Sequence, residues 1–206
     1  MSDHKNITRF GLIRHAETLW NLQNRIQGHN DSPLTAKGER QATQWGQALK
    51  DVQWDRILAS DTGRALVTAS RINNTLQIPL TSEPRLREQH WGQWTGKTVA
   101  QIETEASQLL AEQTKAGWKF RPPGGEDRLN IWQRSHNALV EAADKWSGER
   151  ILIVTHEGVV KSLIYRLYGR QFLPHEPPLI KAFHLHWLIH SHQGLKLEKV
   201  NAVALV

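Results

Sequence analysis

Two periods of hydrophobic and polar residues alternate along the chain. Residues 7–13, ITRFGLI, and 54–60, WDRILAS, are short apolar runs, and 150–155, RILIVT, is more apolar still. Runs of this length between polar neighbours predict β-strands. Residues 34–51, LTAKGERQATQWGQALKD, and 60–76, SDTGRALVTASRINNTL, have helical spacing instead. Thr35 is placed to cap the first helix, and Ser60 or Asp61 the second. Further helices are predicted over 98–113, from the loop 121–127 to about Trp146, and in GVVKSLIYRLYG after the third strand. Residues 181–200 read as two strands around a turn at Gln193-Gly194. Pro79, Pro84, Gly92 and Gly96 bracket a stretch with little period, which reads as irregular. Strands alternating with helices predict an α/β fold with a mostly parallel sheet covered on both faces. No internal repeat breaks the chain, so residues 1–206 read as a single domain.

Composition narrows the function. The net charge is +6, from 26 Lys+Arg against 20 Asp+Glu, which favours anionic ligands. The basic residues are scattered and form no block interleaved with aromatics, so no nucleic-acid partner is expected. Cys is absent, which excludes disulfides, thiolate metal sites and cysteine nucleophiles. The opening MSDHKNITRF has no apolar signal core, and no run approaches the ~18 apolar residues of a membrane span. A soluble, cytoplasmic protein is the expectation.

Three of the predicted strands end in chemistry. The first ends at Arg14-His15, the second runs into Ser60-Asp61 with Arg64 one turn on, and the third ends at Thr155-His156-Glu157-Gly158. Ligands of open α/β sheets collect outside the carboxyl ends of the strands, so two His and two Arg converge on one edge. The helix beginning near Asp61 is expected to add its free N–H groups there. Arg presents a planar fork of donors to phosphate oxygens, and a neutral imidazole nitrogen is a competent nucleophile. The set suits a phosphoryl group, with one His attacking and the other donating.

LIRHAETLWN resembles the Arg-His-Gly-Glu-Thr-x-x-Asn signature of the histidine phosphatase superfamily, phosphoglycerate-mutase-like branch. The resemblance continues in order through RIQGHNDSPLTAKGERQA (25–42), ASDTGRALVTA (59–69), LREQHWGQWTGKT (86–98), PPGGED (122–127) and VTHEGVVK (154–161). It implies a three-layer α/β/α sandwich and a metal-independent phosphatase without a cofactor, acting on small phosphate monoesters. It also implies that His15 becomes a phosphohistidine, that Arg14, Arg64 and His156 hold the phosphoryl oxygens, and that Glu88 is the proton donor and then the base. Asn21 and Gln27 match positions lining the same pocket. A cofactor-dependent mutase is the alternative activity. Such mutases carry ERHYG around the acid and a longer insertion after it, whereas this chain has REQHWGQWTG and a short segment at 98–121. A non-catalytic phospholigand-binding protein is the more distant alternative; it predicts a missing member of the set, and none is missing.

Residue chemistry gives Glu88 independent support. Trp91 and Trp94 stand close in sequence, and a carboxyl beside aromatic walls and a bound dianion holds its proton more readily, as a general acid must. On residues alone, Glu17, Glu83 and Glu157 compete for that role. Trp20, Trp91 and Trp94 read equally as core or as pocket wall. Ala16 and Glu157 depart from the family pattern, where Gly is common. Glu157 is expected either to point away or to contact His156 and keep it protonated. His184, His186, His190 and His192 share a parity, which puts them on one face of a continuous strand. The expected reading is a half-exposed edge strand with polar residues outward, rather than a metal site. PPGGED lacks the Lys-Ser/Thr ending of a nucleotide-phosphate loop.

Overall fold

Alternation within the strands sorts the core into two layers. In the computed structural model, which describes residues 7–205, six strands form one sheet in the order β3-β2-β4-β1-β5-β6. They are β1 (Thr8–Arg14), β2 (Arg56–Ala59), β3 (Leu80–Ser82), β4 (Arg150–Thr155), β5 (His184–Ser191) and β6 (Gly194–Ala204). The pairs β1–β4, β2–β4 and β2–β3 are parallel, and β5 and β6 extend the sheet as an antiparallel hairpin. The helices are α1 (Leu19–Leu22), α2 (Ala36–Leu49), α3 (Gly63–Leu76), α4 (Val99–Lys115), α5 (Arg128–Lys145) and α6 (Glu157–Tyr168). Phe10, Leu12, Ile151 and Ile153 face one layer and pack with Leu139 of α5 and Leu163 of α6. Ile13, Leu152 and Val154 face the other and pack with Trp45 of α2 and Ile72 of α3. The result is the expected three-layer α/β/α sandwich. Residues 1–6, part of the stretch read for a leader, and Val206 lie outside the described residues. Among the described residues no helix is long and apolar enough to cross a membrane.

Several local expectations are corrected. Thr35 does cap α2, accepting from the Gly38 N–H at 2.9 Å. The cap of α3 is Thr62, not Ser60 or Asp61, and its side chain makes no capping bond. Ser60 turns instead to His156, and Asp61 to Arg87. The stretch between Pro79 and Gly96 is not wholly irregular: it supplies β3 and 3-10 turns at Pro84–Leu86 and Gly92–Trp94. β5 is an internal strand, flanked by β1 and β6, so β6 and not the His-rich strand forms the edge. β5 pairs with β1 in one unbroken register from His186 to His190, and the register shift beside Trp187 lies in its pairing with β6. His184 and His186 line one cavity, His190 and His192 another. His186 is buried and accepts from the Asn201 N–H at 3.1 Å rather than pointing outward. Among the described residues no group of three or more His, Asp or Glu could hold a metal ion.

Because β4 lies between β1 and β2, the carboxyl ends of these three strands adjoin. The backbone of His15 prolongs the ladder, donating from its N–H to the Thr155 carbonyl at 2.8 Å. His15 is therefore fixed by sheet hydrogen bonding one residue beyond β1, and His156 follows β4 directly as the N-cap of α6, its carbonyl accepting from the Val160 N–H.

Candidate active site

The His15 ring has one available tautomer. Its Nδ1 lies 2.8 Å from the Ala16 carbonyl oxygen, which can only accept, so Nδ1 carries the proton. Nε2 then presents its lone pair, and the Arg64 Nε–H donates to it at 3.3 Å. Burial, followed by the charges of Arg14 and Arg64, holds the His15 pKa well below the usual 6.5. The ring is neutral at physiological pH, as a nitrogen nucleophile requires.

His156 stands edge-on to His15 with ring centroids 5.2 Å apart. Its Nε2 is 2.8 Å from Ser60 Oγ and 3.2 Å from Thr62 Oγ1, while Nδ1 is buried with no partner. Burial, then Arg64 and His15, pushes its pKa well down. The expected Glu157 contact that would keep His156 charged is not made: the Glu157 carboxylate pairs with Arg14 Nη1 at 2.7 Å and Lys161 Nζ at 2.5 Å. Burial raises the Glu157 pKa, but Arg14 and Lys161 outweigh it and the net shift is downward.

These buried neutral rings make stability pH-dependent. His15, His156 and His186 (held at about 4 by burial and then by His184) each have a folded pKa below the unfolded value of 6.5. The unfolded chain binds more protons, so stability is full above pH 6.5 and falls as pH drops from there toward 4, by up to ~1.4 kcal/mol per pH unit per ring. Thermal unfolding between pH 7 and 4 is expected to show this, and His186→Asn should flatten the slope.

Arg64 is placed by α3 and held by the loop opposite. Its buried guanidinium donates to the carbonyls of Gly28 at 2.7 Å and Asn30 at 2.8 Å, and to Asp31 Oδ1 at 3.1 Å. Asp31 also accepts from the Arg64 N–H at 3.1 Å. The start of α3 thus spends an N–H on Asp31, contrary to the expectation that it stays free for a ligand.

Glu88 sits in the loop after the 3-10 turn, its own carbonyl anchored by His29 Nε2 at 2.9 Å and Arg134 Nη2 at 3.0 Å. Its carboxylate accepts from the Gln89 N–H at 2.8 Å and the Gly158 N–H at 3.2 Å. A Cβ at position 158 would come within 2.1 Å of Glu88 Oε1, so a side chain there would displace the carboxylate from this seat. The competing carboxylates have other partners: Glu17 takes Thr35 and Lys37, Glu83 takes Arg85, and Glu157 takes Arg14 and Lys161. Arg14, His15, Asn21, Gln27, Arg64 and Glu88 all line one cavity of about 420 Å³, with His156 buried behind it. Asn21 also caps α1, its Oδ1 accepting from the Thr18 N–H. Trp91 lines this cavity, whereas Trp94 packs in the core with Ile102 and Phe120, and Trp20 lies over Gly96.

The profile of the histidine phosphatase superfamily (branch 1) matches residues 10–203. The chain belongs to the histidine phosphatase superfamily. A relative named probable phosphoglycerate mutase GpmB, from Escherichia fergusonii, is 37% identical over 161 residues, covering 77% of this chain and 74% of that protein. Bacillus stearothermophilus YhfR superposes with a TM-score of 0.87 at 32% identity, covering 96% of this chain and 98% of that one. A mycobacterial glucosyl-3-phosphoglycerate phosphatase in complex with VO3 superposes with a TM-score of 0.79 at 29% identity, covering 95% and 99%. A putative alpha-ribazole-5'-P phosphatase from Escherichia coli gives 0.81 at 27% identity, covering 96% and 97%.

Within this member of the superfamily both departures from the family pattern have a place. The Ala16 methyl is fully buried in the core beside α2 and α3. Glu157 ties down one terminal nitrogen of Arg14 and leaves Arg14 Nε buried without a partner. Glu157→Ala is expected to free the guanidinium and lower kcat/KM about tenfold, while Glu157→Gln, which keeps an acceptor, stays within about threefold of wild type. Steady-state kinetics on one monoester check this. Sequence reasoning missed Ser60 and Thr62 as partners of His156, Asp31 as partner of Arg64, and Lys161. For Lys161 a signal existed, the i,i+4 spacing from Glu157.

Proposed function

We propose that the protein is a metal-independent phosphatase that hydrolyses small phosphate monoesters through a phosphohistidine on His15. The observation that carries this reading is the fixed tautomer: Nδ1–H is committed to the Ala16 carbonyl, and the unprotonated Nε2 accepts from Arg64 Nε–H at the cavity. In the first half-reaction His15 Nε2 attacks phosphorus in line, the P–O ester bond breaks, and Glu88 gives its proton to the departing alkoxide. In the second, Glu88 takes a proton from water, the resulting hydroxide attacks the phosphohistidine, and the N–P bond breaks to release inorganic phosphate. Arg14 Nε, Arg64 and His156 Nδ1 hold the phosphoryl oxygens. For His156 this follows from the hydroxyls at its Nε2: when one donates there, the ring proton sits on Nδ1. Positioning and charge stabilisation supply most of the rate in such a transfer. Asn21 and Gln27 contact the bound ester, and Gln27 Oε1 is buried without a partner at the cavity wall.

A phosphoglycerate mutase is the second reading, favoured by the name of the GpmB relative. The phosphatase reading draws support from the two phosphatases among the structural neighbours and from the short segment between Glu88 and α5. The deciding assay follows 3-phosphoglycerate and a panel of monoesters with EDTA present, with and without 2,3-bisphosphoglycerate. Release of inorganic phosphate in EDTA, without isomerisation, is expected. Isomerisation dependent on the bisphosphate would establish the mutase, and loss of turnover in EDTA would refute the metal-free mechanism.

A further inference from the structure

A second cavity of about 440 Å³ adjoins the phosphoryl cavity. Arg14, Arg128, Glu157, Lys161 and Phe172 line both, so the two share a wall. Each lies within the ~300–1,000 Å³ typical of sites that enclose a small molecule. A phosphoryl group with a three-carbon acid would leave the second one empty. Beyond the shared wall the apolar side chains of Val160, Tyr165, Leu173, Ile180 and Phe183 form much of the lining, with Glu176, Lys181, His184 and His186 among them.

Arg128 stands at the junction. Its guanidinium is clamped between the rings of Phe120 and Phe172, each centroid 4.2 Å away. Nη1 donates to the carbonyls of Gly117 at 3.1 Å and Phe172 at 3.3 Å, and no carboxylate pairs with it among the described residues. Burial lowers its pKa to about 10, as expected of a cation without a counter-ion. On the phosphoryl side, Ser162 presents a buried hydroxyl with no partner to the same space. A planar donor without a carboxylate partner and an idle hydroxyl thus border the phosphoryl cavity, and a partly apolar chamber adjoins it.

We propose that the second cavity is the leaving-group subsite, and that the substrate is the phosphate monoester of a bulky alcohol. That alcohol carries an oxygen acceptor facing Arg128 and Ser162 and an apolar ring or chain beyond it. The proposal rests on the phosphatase reading and commits it to a size and polarity of alcohol. Continuity with the phosphoryl cavity argues for the substrate itself as the occupant.

The test compares propyl phosphate with 3-phenylpropyl phosphate, whose alkoxide leaving groups are chemically alike. Wild type is expected to favour the phenylpropyl ester in kcat/KM by at least roughly tenfold, the scale of burying one ring. Ala182→Trp places an indole in the second cavity and is expected to bring that ratio close to one, with remaining turnover of propyl phosphate showing that the fold survives. Equal turnover of both esters by wild type, or a ratio unchanged by Ala182→Trp, would overturn the subsite while leaving the phosphatase intact. No phosphate release from either ester would overturn the phosphatase reading itself.

Discussion

His15→Ala is expected to abolish turnover, with loss of at least about 10⁵-fold in kcat, because in the proposed mechanism His15 alone bonds to phosphorus. The substitution removes a ring held at both nitrogens, by the Ala16 carbonyl and by Arg64. His156 cannot substitute for it. That ring is fully buried and its Nε2 faces Ser60 and Thr62. Affinity for inorganic phosphate should survive in the variant, since Arg14, Arg64 and His156 remain. Activity on a chromogenic monoester and phosphate binding by calorimetry check the two halves of this expectation.

Arg64→Met is the second large effect, and it acts on activity and stability together. The guanidinium satisfies the Gly28 and Asn30 carbonyls and binds Asp31. Met keeps most of the volume and none of the donors. Two buried or half-buried carbonyls lose their partner, which costs about 3 kcal/mol on unfolding. Loss of a donor to the transition-state oxygens costs a further 10²–10³ in kcat, on the order of one oxyanion-hole group. Denaturant unfolding and kcat measured on the same preparation separate the two. Arg64→Lys should recover part of the stability and little of the rate, because a single ammonium cannot donate to His15, Gly28 and Asn30 at once.

The sequence made the site's position legible because three apolar runs end in Arg14-His15, Ser60-Asp61 and Thr155-His156, and parallel strands deliver such ends to one edge. Thr35 was readable as a cap because its partner, Gly38, is three residues away. Ser60 and Asp61 were misread as caps because their partners, His156 and Arg87, lie far off in sequence. The His-rich strand looked like an edge because its parity is polar; β6 pairs along its outer side and makes it internal. Choosing Glu88 over Glu17, Glu83 and Glu157 rested on the family resemblance. Geometry adds a reason: the other three are paired with cations, whereas Glu88 lines the phosphoryl cavity with no cation partner among the described residues. Arg128 left no sequence signal, because its clamp forms only when Phe120 and Phe172 close on it.

The covalent step is open to direct observation. Wild-type protein is mixed with a radiolabelled phosphate monoester, quenched in alkali and digested, and the label is located by mass spectrometry. An acid-labile, alkali-stable phosphate on the peptide containing His15, absent from His15→Ala, is the predicted result. Turnover without such an adduct in a rapid-quench series, or a label on a residue other than His15, would contradict the account.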